Sequence, residues 1–180
     1  RSFAGISSFF ANLPQYVKNT AQEQPQTVDY GQESPQSFTG VKQAIESEGT
    51  ITTPYMGSTR SEAQHPGIDI ANKIGTAIRA FSPGVVTNVE TGKVQGDKAF
   101  GNYITVKDPF GTEHRYSHLA QSYVKVGDVI KQGENIAAMG ASGNTYSTSG
   151  GSGSHLDYRI KDAAGKYLNP YSYLTRFYNQ

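Results

Sequence analysis

Two segments of the chain each place a histidine close to an aspartate. In "HPGIDI", His65 and Asp69 are four residues apart, and in "SHLDYRI", His155 and Asp157 are two residues apart. Side chains separated by an even number of residues project from the same face of a β-strand. We therefore expect each segment to present an imidazole and a carboxylate, joined in the second by Arg159, opposite an apolar face.

A third segment, "HRYSHL", contains the other two histidines of the chain. Its alternation predicts a strand on which His114, Tyr116 and His118 share one face. Two histidines four residues apart also occur on the helix of one class of zinc protease. That class needs a glutamate directly after the first histidine, and Arg115 stands there, so the helical site is excluded.

Imidazole and carboxylate groups in this pattern are suited to metal chemistry. Neutral imidazole nitrogen and carboxylate oxygen are normal Zn²⁺ ligands, and a catalytic zinc site has three protein ligands and one open position for water. A single histidine on a strand is more often a surface or packing residue. Taken alone, these residues leave both interpretations open.

Other kinds of chemistry lack the residues they need. The chain has no cysteine, which excludes disulfides, thiolate metal sites and a cysteine nucleophile. It has no Gly-x-Ser-x-Gly turn and no Walker-type phosphate loop. With 16 Lys and Arg against 15 Asp and Glu, it offers no charge basis for binding nucleic acid or an anionic membrane. No apolar run reaches the roughly 18 residues of a membrane-spanning helix.

The elements that position these residues are short alternating segments separated by Gly, Pro or Asn, and they extend from about residue 50 to residue 175. Together with 20 glycines and 12 tyrosines, they predict an all-β domain of mainly antiparallel sheet over 50–175. Within it, "VKVGDVIKQGENIAAMG" predicts a compact hairpin region. The polar, glycine-rich stretch 144–154 predicts a loop directly before His155.

The first 49 residues differ in composition and predict a separate N-terminal region. Apolar residues within 1–20 have helical spacing, which predicts a short amphipathic helix. Residues 20–40 are rich in Gln, Pro and Ser, as linkers are, and 41–49 predict one or two helical turns. We expect this region to attach the domain to a larger polypeptide or assembly, and residues 176–180 to form a C-terminal tail.

The order of these motifs along the chain resembles that of a known enzyme family. The sequence contains, in the family's order, "HPGIDI", "GTAIRAFSPGVV", "FGNYITVKDPFGTEHRYSHL", "VKVGDVIKQGENIAAMG", "GSGSHLDYRI" and "LNPYSYL". These segments resemble the lysostaphin/LytM-type zinc endopeptidases, which cut cross-bridges and stem peptides of bacterial peptidoglycan. The resemblance covers about residues 50–175 and implies the family's sandwich-like antiparallel β domain.

The resemblance also implies roles for the candidate residues. The positions of the three zinc ligands are occupied by His65, Asp69 and Asp157. His155 matches the histidine that activates water, and His118 matches a catalytic histidine that does not bind the metal. His114 matches no functional position, so we expect it to be a surface residue.

Asp157 departs from the family, whose H-x-H motif has a histidine at that position. Carboxylate oxygen binds zinc at ~2.0–2.2 Å, close to the ~2.0–2.1 Å of imidazole nitrogen, so an aspartate there is compatible with a zinc ligand. Two carboxylates would make the site less positive and its bound water less acidic. The alternatives are a degenerate site that has lost its metal and an engineered inactivation.

We predict a zinc-dependent endopeptidase that hydrolyses peptide bonds in bacterial peptidoglycan, acting outside the cell, in the bacterial envelope or in a virion tail. We expect loop 144–154 to lie at the edge of its cleft. The alternative is a LytM-like domain that binds peptidoglycan or regulates another hydrolase without catalysis. The hairpin region also resembles biotinyl or lipoyl carrier domains, but no acceptor lysine lies between Gly133 and Gly143, which disfavours that function.

Overall fold

The computed structural model of the chain describes residues 35–97 and 99–178. This part of the chain folds into two antiparallel sheets with a helix at either end. The strands are β1 (Thr50–Thr53), β2 (Gly67–Ala71), β3 (Ala77–Arg79), β4 (Gly84–Glu90), β5 (Tyr103–Lys107), β6 (Glu113–Ser117), β7 (Leu119–Ser122), β8 (Val129–Ile130), β9 (Asn135–Met139), β10 (His155–Lys161) and β11 (Tyr167–Leu168). The helices are α1 (Pro35–Glu48) and α2 (Pro170–Tyr178). The prediction of a mainly antiparallel β fold is confirmed.

The larger sheet has β10 near its centre. Its strand order is β1-β2-β10-β6-β5-β4-β8, with β11 paired to β10 beside this path, and the smaller sheet has the order β3-β9-β7. Strand β10 shows the predicted alternation, since Leu156, Tyr158 and Ile160 are fully buried in the hydrophobic core. The opposite face of the strand, with Asp157 and Arg159, is therefore available for a polar site.

Helix α1 is longer than the one or two turns predicted for 41–49, because it runs from Pro35 to Glu48 and includes the end of the expected linker. It packs against α2, and its Val41 and Ile45 are fully buried in the core. A face that buries such residues is stabilised by tertiary packing, which composition does not reveal. Gly49 ends the helix next to β2, where an added Cβ would come within 2.3 Å of the Ala71 carbonyl oxygen.

The remaining predictions for the N-terminal region, including the amphipathic helix within 1–20, lie outside the described residues. The division of the chain at residues 49 and 175 stays a prediction. Helix α2 crosses the second of these boundaries, and its Phe177 is buried in the core. Neither α1 nor α2, the helices of the part of the chain that the structure describes, is long and apolar enough to span a membrane.

In strand β6, His114 faces the protein interior and not the solvent, which contradicts the prediction. His114 was expected at the surface, but it is fully buried, with Nδ1 2.7 Å from the Tyr158 hydroxyl and Nε2 3.1 Å from Asp108 Oδ2. Burial is tolerated because both ring nitrogens have hydrogen-bond partners. His118 does not share this face, since it follows the end of β6 with a left-handed φ of 65° that breaks the strand alternation.

Candidate metal centre

Three candidate ligands converge at the junction of β2 and β10. The antiparallel register pairs Asp69 directly with Asp157, and His65 lies just before β2. One ligand atom from each of these three residues lies within 4.8 Å of the others, and all three residues are buried. The structure thus brings together the three residues that the sequence suggested as metal ligands.

The contact with Glu62 sets the tautomer of neutral His65. His65 Nδ1 lies 2.8 Å from Glu62 Oε2, and since a carboxylate only accepts, Nδ1 carries the hydrogen. In neutral His65, Nε2 then presents a lone pair. A carboxylate that orients the far nitrogen of a histidine in this way is the usual partner of a metal-binding imidazole.

The lone pair of His65 faces another acceptor. Its Nε2 lies 3.1 Å from Asp69 Oδ1 and 3.8 Å from Asp157 Oδ1. Both His65 Nε2 and Asp69 Oδ1 are buried without a hydrogen-bond partner among the described residues. Two buried acceptors this close repel each other unless a cation lies between them. The donor set of one imidazole and two carboxylates fits Zn²⁺.

Electrostatics at these residues point the same way. Burial lowers the pKa of His65, but the carboxylates of Asp69, Asp157 and Glu62 outweigh it and raise the pKa above its usual value. Burial raises the pKa of Asp69, but His65 outweighs it and the net shift is downward. The cluster therefore favours positive charge at its centre, supplied by a proton when no metal is bound.

His118 and His155 form a second pair beside this cluster, with ring centroids 4.6 Å apart. Their Nδ1 atoms lie 2.7 Å from the Ser142 carbonyl oxygen and 2.9 Å from the Gly153 carbonyl oxygen, respectively. Each Nδ1 therefore donates, which leaves Nε2 as an acceptor in the neutral ring. Burial, reinforced by the nearby His155, lowers the pKa of His118 and favours its neutral form. His155 Nε2 lies 3.9 Å from Asp69 Oδ1.

Two further residues belong to the site, and sequence reasoning did not assign them a role. Arg159 donates to both oxygens of Asp157 at 2.7–2.9 Å and to both oxygens of Glu62 at 2.8–2.9 Å. The alternation of β10 placed Arg159 on the same face as Asp157, and this pattern could have indicated a role for Arg159 in the site. Glu62 lies before β2 in a loop without periodicity, so its sequence context gave no signal.

The three candidate ligands, His65, Asp69 and Asp157, line a cleft of about 770 Å³ together with His118 and His155. Most of loop 144–154 lines it as well, in agreement with its predicted position, and contributes mainly Ser, Thr and Gly. The Tyr146 hydroxyl in this loop accepts a hydrogen bond of 3.0 Å from the backbone N–H of Arg60. This contact joins loop 144–154 to the loop that precedes His65, and the residues that line the cleft around the candidate ligands are mainly uncharged and polar.

Several curated proteins are similar in sequence to part of the chain. An uncharacterized metalloprotease of Buchnera aphidicola subsp. Baizongia pistaciae is 38% identical over 66% of this chain and 28% of its own length. Peptidoglycan DD-endopeptidase ShyC of Vibrio cholerae is 32% identical over 59% of this chain and 22% of its own. Murein hydrolase activator NlpD of Salmonella typhimurium is 36% identical over 63% of this chain and 27% of its own length. The chain thus spans about a quarter of the length of these relatives.

Solved structures and a family profile extend the comparison. The antimicrobial peptidase lysostaphin from Staphylococcus simulans has a TM-score of 0.57 at 26% identity, covering 74% of this chain and 52% of its own. A variant of the catalytic domain of EnpA, a prophage-encoded M23 protein from Enterococcus faecalis, has a TM-score of 0.55 at 28% identity, covering 67% and 88%. Residues 63–170 match the profile of Peptidase family M23, and with more than half of its length matched, the chain belongs to that family.

Proposed function

We propose that this chain is a zinc-dependent endopeptidase that hydrolyses peptide bonds in bacterial peptidoglycan. The observation that carries the proposal is the buried pair of acceptors, His65 Nε2 and Asp69 Oδ1, which face each other at 3.1 Å without a hydrogen-bond partner. Such a pair needs a proton or a metal cation between its two atoms, and two histidines with accepting Nε2 atoms lie next to it.

His65, Asp69 and Asp157 would hold the metal. When bound, Zn²⁺ would polarise the scissile carbonyl and make a bound water more acidic. Because His65 Nδ1 donates to Glu62, its Nε2 is oriented towards the carboxylates before any metal arrives. Asp157 accepts three hydrogen bonds from Arg159, and its Oδ1, 3.8 Å from His65 Nε2, keeps lone-pair capacity for a ligand bond.

His155 is the proposed general base. The Gly153 carbonyl oxygen fixes the hydrogen of His155 on Nδ1, so Nε2 accepts the proton of the attacking water. His118 is fixed in the same way by the Ser142 carbonyl oxygen. The proton that His155 takes from the water passes to Nε2 of the adjacent His118, which then donates a hydrogen bond to the developing oxyanion or delivers that proton to the leaving amine.

A peptide from the bacterial wall is the proposed substrate. Support comes from the relatives, which include a peptidoglycan DD-endopeptidase and a DD-carboxypeptidase/endopeptidase, Mpg of Neisseria gonorrhoeae. The cleft, lined largely by Ser, Thr and Gly, suits a peptide with small side chains. With such a substrate, the protein acts outside the cell, in the bacterial envelope or in a virion tail, and region 1–49 attaches it to a larger polypeptide or assembly.

A second candidate function is a module that binds peptidoglycan or activates another hydrolase without catalysis. Both oxygens of Asp157 already accept hydrogen bonds from Arg159, which weakens them as ligands. The relative NlpD carries the name of a murein hydrolase activator. Metal content and turnover distinguish the two functions.

The test combines zinc analysis with turnover. Purified protein, stripped of metal and then supplied with one equivalent of Zn²⁺, is incubated with purified peptidoglycan, and newly formed amino groups are counted. We expect bound zinc and zinc-dependent release of amines, both lost in Asp69→Ala. Protein that retains one zinc yet releases no amines would reject the peptidase in favour of the second function, and protein that binds no zinc would reject the metal site itself.

A further inference from the structure

One guanidinium holds two carboxylates of the site at once. Arg159 Nε lies 2.8 Å from Asp157 Oδ1, and Nη2 lies 2.7 Å from Asp157 Oδ2. On its other edge, Nη1 lies 2.8 Å from Glu62 Oε1 and Nη2 lies 2.9 Å from Glu62 Oε2. Arg159 thus uses both edges of its planar fork, which is the strongest and most directional arrangement that an arginine can adopt with carboxylates.

These contacts connect Arg159 to two of the three candidate ligands. Asp157 is held directly, and His65 is held through Glu62, whose Oε2 accepts from His65 Nδ1 at 2.8 Å. The same Oε2 accepts from Arg159 Nη2. The orientations of Asp157 and His65 therefore depend on one side chain.

The surroundings of Arg159 are built to fix it in place. It is 7% exposed, and its guanidinium lies over the Phe100 ring at 4.9 Å from the centroid. Across the β2–β10 pair it faces Gly67, where an added Cβ would come within 2.6 Å of Arg159 Cγ. The space for the arginine stem thus depends on the absence of a side chain at position 67.

Arg159 also changes the charge of the candidate ligands. Asp157 and Arg159 together are neutral, so the pair resembles a neutral imidazole in charge while it offers an oxygen to the metal. Without Arg159, three carboxylates would surround neutral His65 in a buried site, which is costly.

We propose that Arg159 is a positioning residue that holds Asp157 directly, and His65 through Glu62, in the arrangement that binds the metal ion. This inference rests on the metal site of the proposed function. The alternative is a role through charge alone. The two roles predict opposite results, because removing a nearby cation should tighten metal binding electrostatically, whereas losing the orientation of two ligands should weaken it.

The test measures Zn²⁺ affinity by competition with a chromophoric chelator, and the absorption spectrum of the Co²⁺-loaded protein as a readout of ligand geometry. We expect Arg159→Met and Arg159→Lys each to weaken Zn²⁺ binding about 10–100-fold and to change the Co²⁺ spectrum. Lysine is included because it keeps the charge but cannot form the double fork. Glu62→Gln should weaken binding as well, and its effect should not add to that of Arg159→Met, since both act on the same chain of contacts.

Arg115 offers a matched control. It lies directly opposite Arg159 on β6 and also stacks on Phe100, at 3.4 Å from the ring centroid, but it makes none of the contacts to Asp157 and Glu62. Arg115→Met should leave Zn²⁺ affinity and the Co²⁺ spectrum unchanged. A comparable loss in this variant would mean that any change on this sheet face disturbs the site, and would overturn the specific role of Arg159.

The remaining outcomes distinguish a positioning role of Arg159 from a role through charge and from a role in fold stability. Tighter binding in Arg159→Met with unchanged binding in Arg159→Lys would assign Arg159 a role through charge and overturn the proposal. Unchanged affinity in both, with only a lower melting temperature, would reduce Arg159 to a fold-stabilising residue. Zinc binding that depends on Arg159 in a protein without peptidase activity would support this inference while the proposed function fails. A wild-type protein that binds no zinc would overturn both.

Discussion

Asp69 and Asp157 lie directly opposite each other in the antiparallel pair of β2 and β10, with their carboxylates in one buried cluster. Like charges in directly opposed positions destabilise a sheet. Arg159 offsets the charge of Asp157, with which it pairs, whereas Asp69 has only His65 at 3.1 Å, which offsets its charge when the imidazole is protonated. A fold that places such a pair in its interior has a use for the negative charge, and a bound cation is the simplest one.

Zinc should stabilise the folded protein, because it relieves this repulsion and binds the folded state only. At a free Zn²⁺ concentration 100 times the dissociation constant, the free energy of unfolding should rise by about 2.7 kcal/mol. The melting temperature, measured with Zn²⁺ and after addition of a chelator, checks this. Mg²⁺ is the control, since it prefers six oxygen ligands and should have little effect at the same concentration. Equal melting temperatures with and without zinc would contradict the assignment of the cluster.

Replacing Asp157 by histidine should not improve the site. In Asp157→His, Arg159 loses its main partner in a buried position, which should lower the free energy of unfolding by about 3 kcal/mol. The guanidinium, left with Glu62 as its remaining carboxylate partner, would also repel zinc. We therefore expect weaker zinc binding in Asp157→His than in the wild type, measured by chelator competition.

A double variant separates ligand identity from charge compensation. In Asp157→His with Arg159→Gln, the buried guanidinium is gone, so stability should exceed that of Asp157→His alone. Zinc affinity in the double variant compares the relief of charge repulsion with the loss of the contact that holds Glu62. Turnover of peptidoglycan by the wild type, by Asp157→His and by the double variant provides the functional comparison. If Asp157→His alone binds zinc more tightly than the wild type, Arg159 and Asp157 do not act as a pair.

His155 and His118 should be needed for turnover but not for metal binding, because their Nδ1 atoms are held by backbone carbonyls and their Nε2 atoms lie beside the cluster. Alanine at either position should lower the rate of peptidoglycan hydrolysis by about 100-fold or more, as loss of a general acid or base does. Zinc affinity should stay within a few-fold of the wild type. Loss of zinc in His155→Ala would make His155 a ligand instead of a base.

The alternation within one strand could be predicted from the sequence, whereas the pairing of strands could not. Alternation in "SHLDYRI" correctly separated Leu156, Tyr158 and Ile160, which belong to the hydrophobic core, from Asp157 and Arg159, which are also buried but pair with each other in the polar site. That Asp157 faces Asp69 depends on the pairing of β2 with β10, and strand order is a long-range property that local alternation does not contain. The roles of the histidines and aspartates as base, acid and ligands remain predictions.

The errors have the same origin. Alternation in "HRYSHL" groups residues by face but does not say which face the rest of the protein covers. Helix α2 packs next to His114 through Tyr173 and Phe177, so this face belongs to the core. The residues of β6 that lie opposite Asp157 and Arg159 are Ser117 and Arg115.

The buried His114 should therefore contribute to the stability of the fold and not to activity. His114→Phe keeps the ring but removes the hydrogen-bond partners of Asp108 and Tyr158, each of which is fully buried. Leaving a buried polar group unsatisfied costs about 1–3 kcal/mol, so the free energy of unfolding in urea should fall by about that amount. Tyr173, whose hydroxyl also donates to Asp108 Oδ2, should limit the loss at the carboxylate.

Zinc affinity and the rate of hydrolysis of His114→Phe, measured well below the melting temperature, should match the wild type. A surface position would instead give a change within about 0.5 kcal/mol, and that result would contradict the burial of His114.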